Sequence, residues 1–162
     1  MDKDQFQLRS AVVGTEGGHQ AGRRLLQAMY EECFEKPMPE ILVTDRGKPY
    51  FADGRVHFSI SHTKNRVFCV LAEKNIGMDA EEMNRDIRLE LADKILSSSE
   101  RKFFEQSENK KEALLRLWVL KEAAAKYTGQ GLQGYPDRTD FSPYDPRILQ
   151  IDGCFVAIIT EP

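Results

Sequence analysis

Cysteine and histidine are scarce in this chain, with three of each among 162 residues. Cys33, Cys69 and Cys154 stand far apart, without a C-x-x-C or histidine-paired spacing, so neither a zinc cluster nor a disulfide framework is expected. They read as small apolar residues kept reduced in the cytosol. His57 and His62 bracket a strand-like run at an odd separation, which sends them to opposite faces and argues against a two-histidine metal site. Long runs of one charge are also missing: 23 Lys and Arg oppose 26 Asp and Glu, a net of −3, which disfavours a nucleic-acid partner. No apolar window has the length of a membrane span, and Met1-Asp2-Lys3-Asp4-Gln5 carries acids where a signal peptide needs bases. The expectation is a cytoplasmic protein with no membrane partner. Internal repeats and low-complexity segments are absent as well.

What is present suffices for one substantial core, since 41% of the residues are hydrophobic. The spacing of Leu25, Leu26, Met29 and Phe34 predicts a helix over 19–34, closed by Pro37 and Pro39. Strands are predicted at 41–43, 56–60 and 66–72, with a turn at 45–49 and a short apolar run at 76–81 that has acids embedded in it. Residues 89–127 read as helices. Ser97 and Glu100 have capping-box spacing, and the longest helix runs from about Lys110 to Tyr127 and stops at Gly129. A loop through Pro136, Pro143 and Pro146 leads to a hairpin at 148–159 turning on Asp152-Gly153. Strands and helices without strict βαβ alternation point to the α+β class, as one domain or two small packed halves.

Three groups of residues carry chemistry. In Gly77-Met78-Asp79-Ala80-Glu81, the two acids are two apart on an extended strand and project from one face. Either they are surface acids of a solvated edge strand, or their repulsion is relieved by a hard cation such as magnesium, which takes oxygen ligands and shares its shell with phosphates. In Trp118-Val119-Leu120-Lys121-Glu122-Ala123-Ala124-Ala125-Lys126, apolar residues surround the helix, and Glu122 and Lys126 share a face at i and i+4. They form a helix-surface ion pair or, alternatively, a third carboxylate and an ammonium for metal and phosphate. In Gly47-Lys48-Pro49 and His57-Phe58-Ser59-Ile60-Ser61-His62, hydroxyls, a histidine and a turn lysine could meet phosphate oxygens.

Taken in order, G-K-P, F-S-I-S-H, G-M-D-A-E and W-V-L-K-E-A-A-A-K, ending in Gly129-Gln130-Gly131-Leu132, resemble the signature of the 4'-phosphopantetheinyl transferase superfamily, especially its surfactin-synthetase type. The resemblance covers about residues 45–132. It implies a single domain over 1–162, built as a pseudo-dimer of two packed α/β halves, with a shortened N-terminal half at about 1–74 and a C-terminal half at about 75–162. It further implies magnesium-dependent transfer of 4'-phosphopantetheine from coenzyme A to a serine of an acyl or peptidyl carrier protein. In that family the D-x-E acids and the K-E glutamate surround magnesium, which matches Asp79, Glu81 and Glu122. The S-H and G-K-P motifs contact coenzyme A phosphates, matching Ser61, His62 and Lys48, and Lys126 matches the lysine at the pyrophosphate. Glu122, directly or through a water, would be the base. Arg23 and Arg24 are candidates for the 3'-phosphate or are ordinary surface arginines. Ser59 stands where the family often has asparagine, and Met78 and Ala80 replace β-branched neighbours. A monomer is preferred, with a trimer whose sites lie between subunits as the other possibility. A non-catalytic coenzyme A-binding or regulatory domain of the same fold is the competing reading, and a helix bearing Phe103 and Phe104 is the guess for carrier docking.

Overall fold

A computed structural model describes residues 6–131 and 139–161. Leu132 of the last motif, Pro136 of the expected loop and the acidic residues at the start lie outside the described residues.

Among the described residues strand β1 (Phe6–Val12) comes first, and helix α1 (Gly18–Phe34) follows. A small hairpin of β2 (Ile41–Val43) and β3 (Pro49–Phe51) comes next; β3, which the sequence reading did not expect, begins at Pro49, the last residue of the predicted turn. Then come β4 (His57–His62), β5 (Arg66–Ala72) and β6 (Ile76–Glu82). After a 3-10 turn at Leu89–Leu91, three helices succeed one another: α2 (Ala92–Ile95), α3 (Ser98–Gln106) and α4 (Lys110–Thr128). The chain returns as β7 (Ile148–Ile151) and β8 (Cys154–Thr160), joined by Asp152 and Gly153, both at positive φ as a tight two-residue hairpin requires. The architecture is α+β, with antiparallel sheets ordered β1-β5-β4, β2-β3 and β6-β8-β7.

Period-two alternation organises the core into layers. On β5, Cys69 and Leu71 face α1, where Leu26, Met29 and Tyr30 are buried, while Phe68, Val70 and Ala72 face the other way. There they meet Ile76, Met78 and Ala80 of β6 and Val156 and Ile158 of β8. The opposite side of β8, Phe155, Ala157 and Ile159, packs beneath α4 against Leu117, Leu120 and Ala123. The order is therefore α1, first sheet, second sheet, α4. β5 and β8 read as continuous apolar runs because both of their faces are covered.

Glycine lets two of these layers approach. A Cβ on Gly77 would lie 2.3 Å from the Ala123 carbonyl oxygen and 2.3 Å from the Tyr127 nitrogen, so β6 rests directly on the α4 backbone. α4 ends at Gly129, which adopts φ 70 and donates its N–H to the Ala125 carbonyl. α3 starts with the expected capping box: Ser97 accepts from the Glu100 N–H, and Glu100 accepts from the Ser97 N–H.

Candidate active site

Since Ile76, Met78 and Ala80 point into the seam between the sheets, the alternate residues Asp79 and Glu81 point towards α4. Asp79 is buried, at 6% exposure. Its Oδ1 accepts from the Ser61 hydroxyl at 3.0 Å and from the Lys126 ammonium at 3.0 Å. Its Oδ2 is buried with no hydrogen-bond partner. Lys126 also donates to the Ile60 carbonyl at 3.2 Å, which ties α4 to β4 over the acid. Glu81 accepts from the Trp118 indole N–H at 3.0 Å and pairs with Arg85 at 2.6 Å.

Glu122 completes the group from α4. Burial, then the negative charge of Asp79, push its carboxyl up to about 7, while Lys126 opposes the shift. Glu81 is raised for the same two reasons, against the pull of Arg85 and Trp118. These acids therefore sit close enough to disfavour one another's charged forms. As the side chains stand, with Lys126 on Asp79 and Arg85 on Glu81, no three His, Cys, Asp or Glu groups among the described residues are gathered tightly enough to hold a metal ion. The donor set nonetheless fits a hard, oxygen-seeking cation in its chemistry: carboxylates that disfavour one another's charge include one whose buried oxygen has no donor on it.

Beside these acids lies a cleft of about 270 Å³, lined among others by Lys48, Phe58, Ser59, Ile60, Glu122 and Lys126. Lys48 reaches its wall from the β2–β3 turn. Its ammonium donates to Asn75 Oδ1 at 2.8 Å and to the Tyr127 carbonyl at 2.9 Å, in the last turn of α4, where a cation is favourable. Burial lowers its pKa.

The other expected phosphate contacts are placed differently. Ser61 is turned inwards: besides donating to Asp79, its hydroxyl accepts from the Ala80 N–H at 3.1 Å. His62 is exposed at the end of β4 and lies over the start of α1, so close that a Cβ on Gly18 would be 2.3 Å from the imidazole. Arg23 and Arg24 lie on α1; Arg24 pairs with Glu16 and is largely exposed. Ser61, His62 and the two arginines do not line the cleft.

Two contacts escaped the sequence reading, namely Trp118 and Arg85 on Glu81. Arg85 follows Glu81 by four residues, a spacing that joins side chains on a helix but here acts across a turn. The guess about Phe103 and Phe104 is half corrected: Phe104 is buried in the α4 cluster at 8% exposure, whereas Phe103 is exposed at 39% and stacks edge-on with Tyr144. Alternate faces of a helix cannot both be surface when one packs on a core.

Residues 75–153, just under half of the chain, match the model of the 4'-phosphopantetheinyl transferase superfamily. That part of the chain belongs to this superfamily. Curated relatives agree. The 4'-phosphopantetheinyl transferase psf-1 of Bacillus pumilus is 30% identical over 116 residues, covering 68% of this chain and 49% of its own length. The 4'-phosphopantetheinyl transferase AcpT of Salmonella typhi is 32% identical over 114 residues, covering 67% and 57%. The 4'-phosphopantetheinyl transferase gsp of Aneurinibacillus migulanus is 26% identical over 115 residues, covering 68% and 48%. The chain thus spans about half the length of the relatives it matches. The superfamily match includes Asp79, Glu81, Glu122 and Lys126, the residues that converge at the α4 face of β6. No described helix is long and apolar enough to cross a membrane.

Proposed function

We propose that this protein transfers 4'-phosphopantetheine from coenzyme A to a serine hydroxyl of an acyl or peptidyl carrier protein, with magnesium, releasing 3',5'-ADP. The observation that carries the reading is the convergence of Asp79, Glu81 and Glu122 with Lys126 beside an open cleft, in a segment that matches the superfamily. The two α/β halves of a pseudo-dimer, divided near residue 74, are the frame proposed for it. The β4–β6 seam, where Asp79 meets Ser61, would be the join between those halves.

Magnesium held by Asp79, Glu81 and Glu122 would supply Lewis-acid neutralisation of phosphate charge. The residues themselves have separable tasks. Lys126 stands 3.0 Å from Asp79 on a flexible stem, within reach of a pyrophosphate bound in the cleft, and offsets its negative charge. Glu122, directly or through a water, accepts the proton of the carrier serine. As that oxygen attacks the β-phosphorus in line, the new serine O–P bond forms and the P–O bond to 3',5'-ADP breaks. Trp118 and Arg85 hold Glu81, so the strand acid does not swing away when ligand arrives. Lys48 braces the end of α4 that forms the cleft wall and presents its charge beside the phosphate path.

The test is transfer of a fluorescent coenzyme A conjugate to a panel of apo carrier proteins, with magnesium or with EDTA. Labelling should require magnesium and fall by about 10²–10⁴-fold in Glu122→Gln, the range a lost proton acceptor produces, and also vanish in Asp79→Asn. Coenzyme A binding with no labelling of any carrier would instead support the binding-domain reading.

A further inference from the structure

The Ser61 hydroxyl has one proton to donate and two lone pairs with which to accept. Its proton is committed to Asp79 Oδ1 at 3.0 Å, and one lone pair to the Ala80 N–H at 3.1 Å. At 5% exposure the side chain is enclosed between β4 and β6, away from the cleft lining. Ser59, two residues earlier on the same strand face, repeats the arrangement one step along: it accepts from the Met78 N–H at 3.1 Å and approaches the Met78 carbonyl at 3.4 Å. The two serines thus join β4 to β6 where the strands lack a shared backbone ladder. Only Ser61 reaches a carboxylate. With Ser61 and Lys126 both on Oδ1, Asp79 keeps its buried Oδ2 without a donor.

We infer that Ser61 is a positioning residue for Asp79, fixing Oδ1 so that Oδ2 is the oxygen presented to a divalent cation, and that it is not a contact for the phosphates of coenzyme A. The inference rests on the proposed metal role of Asp79. A phosphate oxygen needs a donor, and Ser61 has none left unless it abandons the acid. The serine acts one bond away from the ligand, as the outer partners of metal-binding carboxylates do, and losing such a partner costs about tenfold or more in metal affinity.

Binding of Mn²⁺, read by electron paramagnetic resonance without coenzyme A, and binding of coenzyme A, read by calorimetry in EDTA, separate the two roles. Ser61→Ala should weaken Mn²⁺ binding by about tenfold and leave coenzyme A affinity in EDTA within about twofold of wild type. Ser61→Thr, which keeps the hydroxyl, should recover Mn²⁺ affinity. Should the alanine variant fail to fold, Ser61→Cys, close in volume and a weak donor, replaces it in the comparison. Unchanged Mn²⁺ affinity, or coenzyme A affinity lost in EDTA, would overturn the assignment while leaving the metal role of Asp79 intact. Wild-type protein that binds no Mn²⁺ at all would overturn that metal role, and the positioning role with it.

Discussion

The Lys121 ammonium lies 2.6 Å from the Glu100 carboxylate, and neither side chain has exposed surface. Lys121 stands immediately before Glu122 on α4, yet it meets Glu100 in the core while Glu122 lines the cleft. Its partner is also the N3 residue of the α3 capping box and accepts from the Thr139 hydroxyl and the Phe141 N–H. One carboxylate therefore fastens α3, α4 and the segment returning to β7. Breaking the pair from one side leaves a buried charge unmatched, so Lys121→Met or Glu100→Gln should each destabilise by about 3–5 kcal/mol. The double variant Lys121→Met with Glu100→Gln should recover part of that loss, because no unmatched charge stays buried and the glutamine oxygen can still accept from the groups that Glu100 serves. Urea denaturation of the three variants measures it.

Gly77→Ala places a methyl group where the α4 backbone already is. Neither backbone can yield without separating β6 from α4. Destabilisation of about 1–3 kcal/mol is expected in urea, together with weaker Mn²⁺ binding, because the same separation moves Asp79 away from Glu122.

Glu122 links stability to pH. Its carboxyl holds a proton up to about 7 when folded, against 4.5 ordinarily, because burial and Asp79 disfavour its charge. The folded chain thus binds more protons than the unfolded one between these values, and the resulting stabilisation is lost as pH rises from about 4.5 to about 7. In EDTA, Glu122→Gln should melt higher than wild type at pH 8, and the difference should shrink at pH 4.5. A gap that grows at low pH would contradict the sign.

His62 and Gly18 offer a test in which fold and ligand binding separate. Gly18→Ala forces the His62 imidazole into another rotamer, a shift confined to one exposed side chain, so the melting temperature should fall only slightly. If His62 meets a coenzyme A phosphate at the start of α1, coenzyme A affinity measured by calorimetry should fall in Gly18→Ala as it does in His62→Ala.

The elements whose periodicity reports their burial were legible before the structure: α1, the capped α3, α4 and the β7–β8 hairpin occur where the spacing of apolar and turn residues puts them. Asp79 and Glu81 share a strand face, and Glu122 and Lys126 a helix face, as period-two and period-3.6 arguments predict; that the two faces meet was implied by the family resemblance. What stayed hidden depends on contacts between distant segments. β3 is three residues long and exists through its pairing with β2, so it was not legible as a strand and its first residue, Pro49, read as turn. Whether Ser61 turns outwards or inwards is decided by β6 lying alongside β4, which local sequence does not encode. The roles of Lys121 and Lys126, five residues apart, differ for the same reason: one meets Glu100 in the core and the other meets Asp79 at the cleft.

Strand β6 gives one edge of each residue pair to the seam and the other to the acids, and this has a genetic consequence. A single-residue insertion or deletion between Ile76 and Glu82 would exchange the two faces, sending carboxylates between the sheets and Met78 and Ala80 up against α4. Length variation among related chains should therefore accumulate in the turns on either side of this strand and be purged within it, even where the individual apolar residues are free to drift.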